Sequence, residues 1–141
     1  MHVVLADPPA FTPWYDHQLA AALGRAGADV ELQTSRFRFG EVPQADGYRR
    51  SERWYPLSSR LFRRSRLRLP LKAVEHLEVM RSLSRARADV LHLQWLALPQ
   101  ADVHLRFRSP SVFTAHDLLP RRTASRVDLW RRLLRRFDRV V

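Results

Sequence analysis

Two short apolar runs, Val90 to Trp95 and Val112 to Ala115, constrain this chain more than anything else in it. They bracket a segment of helix length, and each ends in polar or aromatic groups: Gln94 and Trp95 after the first, His116 and Asp117 after the second. Such runs read as buried strands. Parallel neighbours need a long crossover between them, and open parallel sheets collect ligands outside the carboxyl ends of their strands. Residues 89 to 120 are therefore expected to supply two adjacent strands and one wall of a cleft.

The remainder builds around that pair. His2 to Ala6 reads as a buried first strand, stopped by Asp7-Pro8-Pro9. Thr12 before Pro13 is a helix start, with threonine as N-cap and proline at the first helical position. Leu19, Ala22, Leu23 and Ala26 follow at helical spacing, and Gly27 stands where a glycine ends a helix. ADVELQT then alternates as a second strand and completes a βαβ unit. Residues 35 to 56 interleave Phe37, Phe39, Trp54 and Tyr55 with arginines, and a strand is expected at Arg49 to Tyr55.

Four helices are expected beyond it. In residues 57 to 69, Leu57, Leu61, Phe62 and Leu69 fall near one helical face with Arg60, Arg63, Arg64, Arg66 and Arg68 around the rest, and Pro70 ends the segment. The second runs from Leu71 to Arg87 on Val74, Leu77, Met80 and Leu83. The third opens at Pro99 and carries Val103, Leu105 and Phe107. Ser125-x-x-Asp128 fits a capping box before the stripe Val127, Trp130, Leu133, Leu134 and Phe137, and Asp138 to Val141 opens a last strand. This alternation predicts an α/β fold, a Rossmann-like, doubly wound, mainly parallel sheet flanked by helices.

A chain of 141 residues can bury one domain core. No apolar run reaches the roughly 18 residues of a membrane span, and MHVVLADPPA lacks the pattern of a signal peptide. Without cysteine there is no disulfide or thiolate metal site, which fits a cytoplasmic protein. The net charge of +11 points to anionic partners. Arg63, Arg64, Arg66 and Arg68, interleaved with leucines and Phe62, have the composition of an interfacial helix on anionic lipid. Contact with the inner face of a membrane is one reading of that stretch, and a packed helix with solvated arginines is the other. Phe37, Phe39 and Trp54 among arginines keep open a non-enzymatic module that binds nucleic acid or anionic lipid.

Among single residues, His116 is the leading candidate for chemistry. A histidine at a strand's carboxyl end can hydrogen-bond a sugar hydroxyl or phosphate, or shuttle a proton; its other reading is an imidazole satisfied by backbone beside a turn-forming Asp117. Gln94 and Trp95 stand at the other strand exit as an amide and a stacking ring, whereas His92 lies within its strand and reads as structural. The loop from Asp7 to Thr12 occupies the usual anion position of a βαβ unit but lacks Gly-x-Gly-x-x-Gly, which argues against a dinucleotide cradle. Asp7 has no acidic partner beside it and no lysine near the last strand, which argues against a phospho-acceptor receiver. The six histidines show no ligand spacing, and no metal is expected.

Three segments, WYDHQLAAALGRAGADVELQT, ADVLHLQW and SVFTAHDLLPRR, the last leading to a helix and FDRVV, resemble the N-terminal half of family 4 glycosyltransferases. Those enzymes are retaining, use nucleotide sugars, and have two Rossmann-like domains (the GT-B architecture). The resemblance implies that residues 1–141 form the acceptor-side domain and that the donor-binding domain, with its paired glutamates and diphosphate-binding basic residues, is absent. It implies that His116 contacts the donor sugar or the reacting centre. Relatives carry a glycine pair near Ala10-Phe11, so Phe11 or Tyr15 is expected to line an acceptor pocket instead, beside Asp7, Trp95 and Asp117. Gln94 stands where many relatives have a second histidine. The implied partners are a nucleotide-sugar donor and a saccharide, lipid or small-molecule acceptor; no resident cofactor is implied, and the fragment alone is expected to be inactive.

Overall fold

The computed structural model describes residues 1–61, 67–117 and 125–141. Six strands form one sheet: β1 (His2–Asp7), β2 (Asp29–Ser35), β3 (Arg49–Trp54), β4 (Val90–Leu93), β5 (Ser111–Phe113) and β6 (Arg139–Val140). Among the described residues four helices join them: α1 (Pro13–Arg25), α2 (Arg68–Arg85), α3 (Pro99–Asp102) and α4 (Val127–Leu134). All strand pairs are parallel and the spatial order is β3-β2-β1-β4-β5-β6. The chain builds outward from β1 in one direction, returns beside it, and builds outward in the other. The reversal opens a crevice between β1 and β4, at their carboxyl ends.

β1 is buried on both faces, as a central parallel strand must be. Val3 and Leu5 pack with Val30, Leu32 and Ala20 of α1 on one side. Val4 and Ala6 pack on the other with Leu91, Leu93, Val79 and Leu83 of α2, and Trp130 and Leu133 of α4. Buried strands covered by helices on both faces define the doubly wound fold expected from the alternation.

Several local expectations give way to tertiary packing. On α1 the buried positions are Asp16, Ala20 and Ala21, while Ala22 and Ala26 are exposed; the small alanines bring the helix close to the sheet. No helix spans Pro56–Leu61, which is a run of turns. Pro70 does not end a helix but lies inside the first turn of α2, where a missing N–H costs nothing. The buried face of α2 is His76, Val79 and Leu83, with Val74 and Leu77 exposed. A strict spacing of three drifts by about 60° per step on a helix of 3.6 residues per turn, so Val74 and Leu77 rotate out.

The helix opening at Pro99 stops at Asp102. Val103, Leu105 and Phe107 alternate with a period of two, and tight i+3 bonds from Asp102 to Leu105 turn the chain so that Leu105 enters the core. No capping box forms at α4: the N-cap is Arg126 without a side-chain bond, and Asp128 pairs with Arg131 at 2.9 Å. Among the described residues no helix is long and apolar enough to cross a membrane. The interfacial-helix expectation for Arg63, Arg64 and Arg66 falls outside the described residues, and Arg68 begins α2.

Candidate functional site

The carboxyl edge at the β1–β4 crevice gathers most of the side chains singled out from the sequence. Gln94 leaves β4 fully buried, and its Oε1 faces His116 Nε2 at 3.2 Å. An amide oxygen only accepts, so His116 donates from Nε2 and its Nδ1 carries the free lone pair. Trp95 stacks on the imidazole at 4.8 Å and 8° between planes, and Tyr15 of α1 meets it edge-on at 5.0 Å. Phe11 packs edge-on against Trp95 at 5.4 Å while remaining largely exposed.

Burial lowers the His116 pKa below its ordinary value, and the charges of Asp7 and Asp117 pull only partly the other way. His92 lies beneath, bonded through Nε2 to Thr114 Oγ1 at 2.8 Å, and burial followed by the charge of His116 pushes it down to about 4. Both rings are thus neutral at neutral pH. His92 joins β4 to the chain just after β5 through Thr114.

The β1–α1 loop takes an unexpected form. Its position suits an anion, but the carboxyl group of Asp7 occupies it, accepting from the Thr12 N–H at 3.2 Å and from backbone at Phe11 and Ala10. Ala10 adopts the left-handed conformation at φ 54°, which ordinarily favours glycine. The Asp16 carboxyl group hydrogen-bonds that of Asp7. Two adjacent buried carboxyls cannot both ionise. Burial and the charge of Asp7 raise Asp16 to about 9, and burial raises Asp7 as well, so one proton is shared. Asp7 Oδ1, buried and without another donor, is the atom open to it.

Thr12 Oγ1 donates to Asp16 Oδ1 at 3.4 Å and accepts from Trp95 Nε1 at 2.9 Å. The acidic pair therefore positions the ring that stacks on His116. Asp16 is the residue sequence reading misses, since an acid in a helix's first turn is ordinarily solvated. Its one signal is the i, i+4 spacing to Ala20 on the inward face. Because the folded protein keeps a proton that unfolded Asp16 releases near its ordinary 3.8, the resulting stability is whole below about pH 4 and declines as pH rises toward 9. Asp16→Asn, which has no proton to lose, is expected to flatten that decline in urea midpoints measured from pH 5 to 9.

Asp117 is exposed beside His116, whereas Arg68 lies apart at the start of α2. Among the described residues no three acidic or histidine side chains converge as metal ligands. The Nε2 of Gln94 is buried without an acceptor, so Gln94 serves His116 from beneath rather than facing solvent. A neutral imidazole with a free lone pair beside an aromatic wall makes a site suited to hydroxyl-rich ligands.

Residues 13–141 match the family described as the glycosyl transferase 4-like domain. Among curated proteins none matches the sequence. Among solved structures, sucrose-phosphate synthase from Thermosynechococcus elongatus is similar over 99% of this chain and 75% of that one, at 18% identity and a TM-score of 0.53. At that identity the likeness bears on the fold.

Proposed function

Because this chain belongs to the glycosyl transferase 4-like domain family, we propose that it forms the acceptor-side half of a retaining glycosyltransferase, moving a sugar from a nucleotide-sugar donor to an acceptor. The observation that carries the reading is His116, held neutral at the crevice with Nε2 bonded to Gln94 and Nδ1 open. In this reading Nδ1 accepts a hydrogen bond from a sugar hydroxyl at the reacting centre. Trp95, Phe11 and Tyr15 offer apolar faces to sugar C–H groups, Asp117 bonds hydroxyls around them, and Gln94 orients His116. Asp7 acts through Thr12 and Trp95, as a positioning residue.

A second Rossmann-like domain would bring the nucleotide sugar against this face and stabilise the departing diphosphate. Electrostatic stabilisation of that kind commonly contributes more to such catalysis than any other single effect. The expected result is no sugar transfer by the 141 residues alone, and transfer once they are joined to a donor-binding domain, measured with a panel of nucleotide sugars. Transfer by the 141 residues alone would refute the division of labour, and its absence from the two-domain protein with every donor and acceptor tried would refute the assignment.

A further inference from the structure

Two rings hold the His116 imidazole, Trp95 face to face and Tyr15 edge-on, and both are tied to one buried acid. Asp16 follows Tyr15 directly in the first turn of α1. Its Oδ1 accepts from the Thr12 hydroxyl, whose oxygen in turn accepts from Trp95 Nε1. We propose that Asp16, by holding a proton against the Asp7 carboxylate, positions both rings and through them His116, and that loss of this proton at alkaline pH releases the imidazole and ends sugar transfer. The effect on transfer rests on the glycosyltransferase reading, whereas the hold on His116 stands or falls separately.

The hydrogen bonds of this chain run in one direction. An indole N–H only donates, so Thr12 must accept from Trp95 and pass its own proton to Asp16. With Oδ1 of Asp16 accepting, the other oxygen is left to carry the proton toward Asp7 Oδ1, which is buried and has no other donor. Asp7 is held in place at the end of β1, its Oδ2 accepting from the Thr12 N–H at 3.2 Å. One proton therefore joins the strand, the turn and the first turn of α1.

Without it, two carboxylates meet out of water, where like charges repel far more strongly than in solvent. No neighbouring group compensates. Across the small hollow beside Asp16 lie Arg50 and Glu52 of β3; Arg50 is bonded to the Pro43 carbonyl at 2.6 Å, and Glu52 is itself an acid. His17 of α1 and Tyr48 before β3 are bonded to each other at 3.0 Å. At the strand exits stand His116, which is neutral, and the exposed acid Asp117. Among the described residues neither Asp7 nor Asp16 has an ion pair. Since β1 is fixed in the sheet, relief comes from moving Asp16 and the first turn of α1. That motion carries Tyr15 with it and breaks the Thr12–Asp16 bond, already long at 3.4 Å. Burial first, and then the charge of Asp7, raise Asp16 to about 9, which sets where the release occurs.

The test follows the rings in the protein itself, without any transfer reaction. NMR signals of the Trp95 indole N–H and of the His116 ring are recorded from pH 7 to about 10. Both are expected to move with one midpoint, near pH 9. Neither is expected to move in Asp16→Asn, whose amide donates to Asp7 and accepts from Thr12 at every pH. In the protein joined to a donor-binding domain, kcat should fall about tenfold between pH 8 and pH 10, as one ionisation near 9 requires, and less than twofold in Asp16→Asn. That variant keeps every lysine and tyrosine, so an alkaline group elsewhere would still show in it. Ring signals that stay still in the wild type, or a midpoint or loss of kcat that persists in Asp16→Asn, overturn the proposal. Rings that respond as expected in a two-domain protein that transfers no sugar would remove the glycosyltransferase reading and leave the hold on His116.

Discussion

His116→Ala, in the protein that joins this chain to a donor-binding domain, is expected to lower kcat/KM by about 10²- to 10³-fold, or about 3–4 kcal/mol of transition-state stabilisation, the scale of one well-placed polar group. The loss should fall mainly on kcat, because the interaction of Nδ1 with a sugar hydroxyl strengthens as charge develops at the reacting centre. Folding should survive with a loss of about 1–3 kcal/mol, since the ring is only partly buried but its removal leaves the buried Gln94 Oε1 unpaired. The pH dependence has a definite sign. The His116 pKa is lowered by burial, so the imidazole is neutral at and above neutral pH and activity should fall only as the ring protonates, below its ordinary value near 6.5. A variant retaining more than about half the wild-type kcat/KM would place the reacting centre elsewhere.

Asp102→Ala is expected to cost about 3–5 kcal/mol of folding stability, as the breaking of buried polar networks does. Asp102 Oδ1 accepts from His76 Nε2 at 2.8 Å and Oδ2 from the Leu98 N–H at 2.9 Å. With Nε2–H committed, His76 Nδ1 accepts from the Tyr55 hydroxyl at 2.7 Å. Burial first, then Asp102 and Glu75, raise the Tyr55 pKa and keep that hydroxyl protonated. All three side chains are buried, so the variant leaves donors that water cannot reach. Tyr55 is also the ring beneath Lys72, 4.9 Å from its centroid. Tyr55→Phe, which removes one neutral bond, should cost only about 1 kcal/mol. Urea unfolding measures both, and a cost below about 1 kcal/mol for Asp102→Ala would mean that the network is not part of the folded core.

How much of this was legible in the sequence follows from which forces are local. The strands were readable because central parallel strands are continuous apolar runs, and the cleft followed from the polar groups at their ends. His116, Gln94 and Trp95 meet as their positions at neighbouring strand exits implied. Asp16, His76 and Asp102 were not readable, because each is satisfied by partners from another element: Asp7 for Asp16, Tyr55 and Asp102 for His76. Spacing within one helix cannot announce such a partner. The start of α2 was misplaced because a proline that breaks a helix interior is harmless in its first turn. The arginine run was ambiguous because composition alone does not separate a lipid-facing helix from a packed one with solvated arginines; of its four arginines only Arg68 lies among the described residues, at the start of α2.

The central claim is that a neutral His116, with Nδ1 open, meets the sugar. Its most direct test is the ring-nitrogen NMR spectrum of the two-domain protein at neutral pH, recorded without and with uridine and guanosine diphosphate sugars. The expected spectrum shows a protonated Nε2 and a lone-pair Nδ1 for His116, and an Nδ1 signal that moves when the cognate donor binds while those of His2 and His104 stay in place. A cationic ring, or an Nδ1 signal unmoved by a donor that the protein turns over, would contradict it.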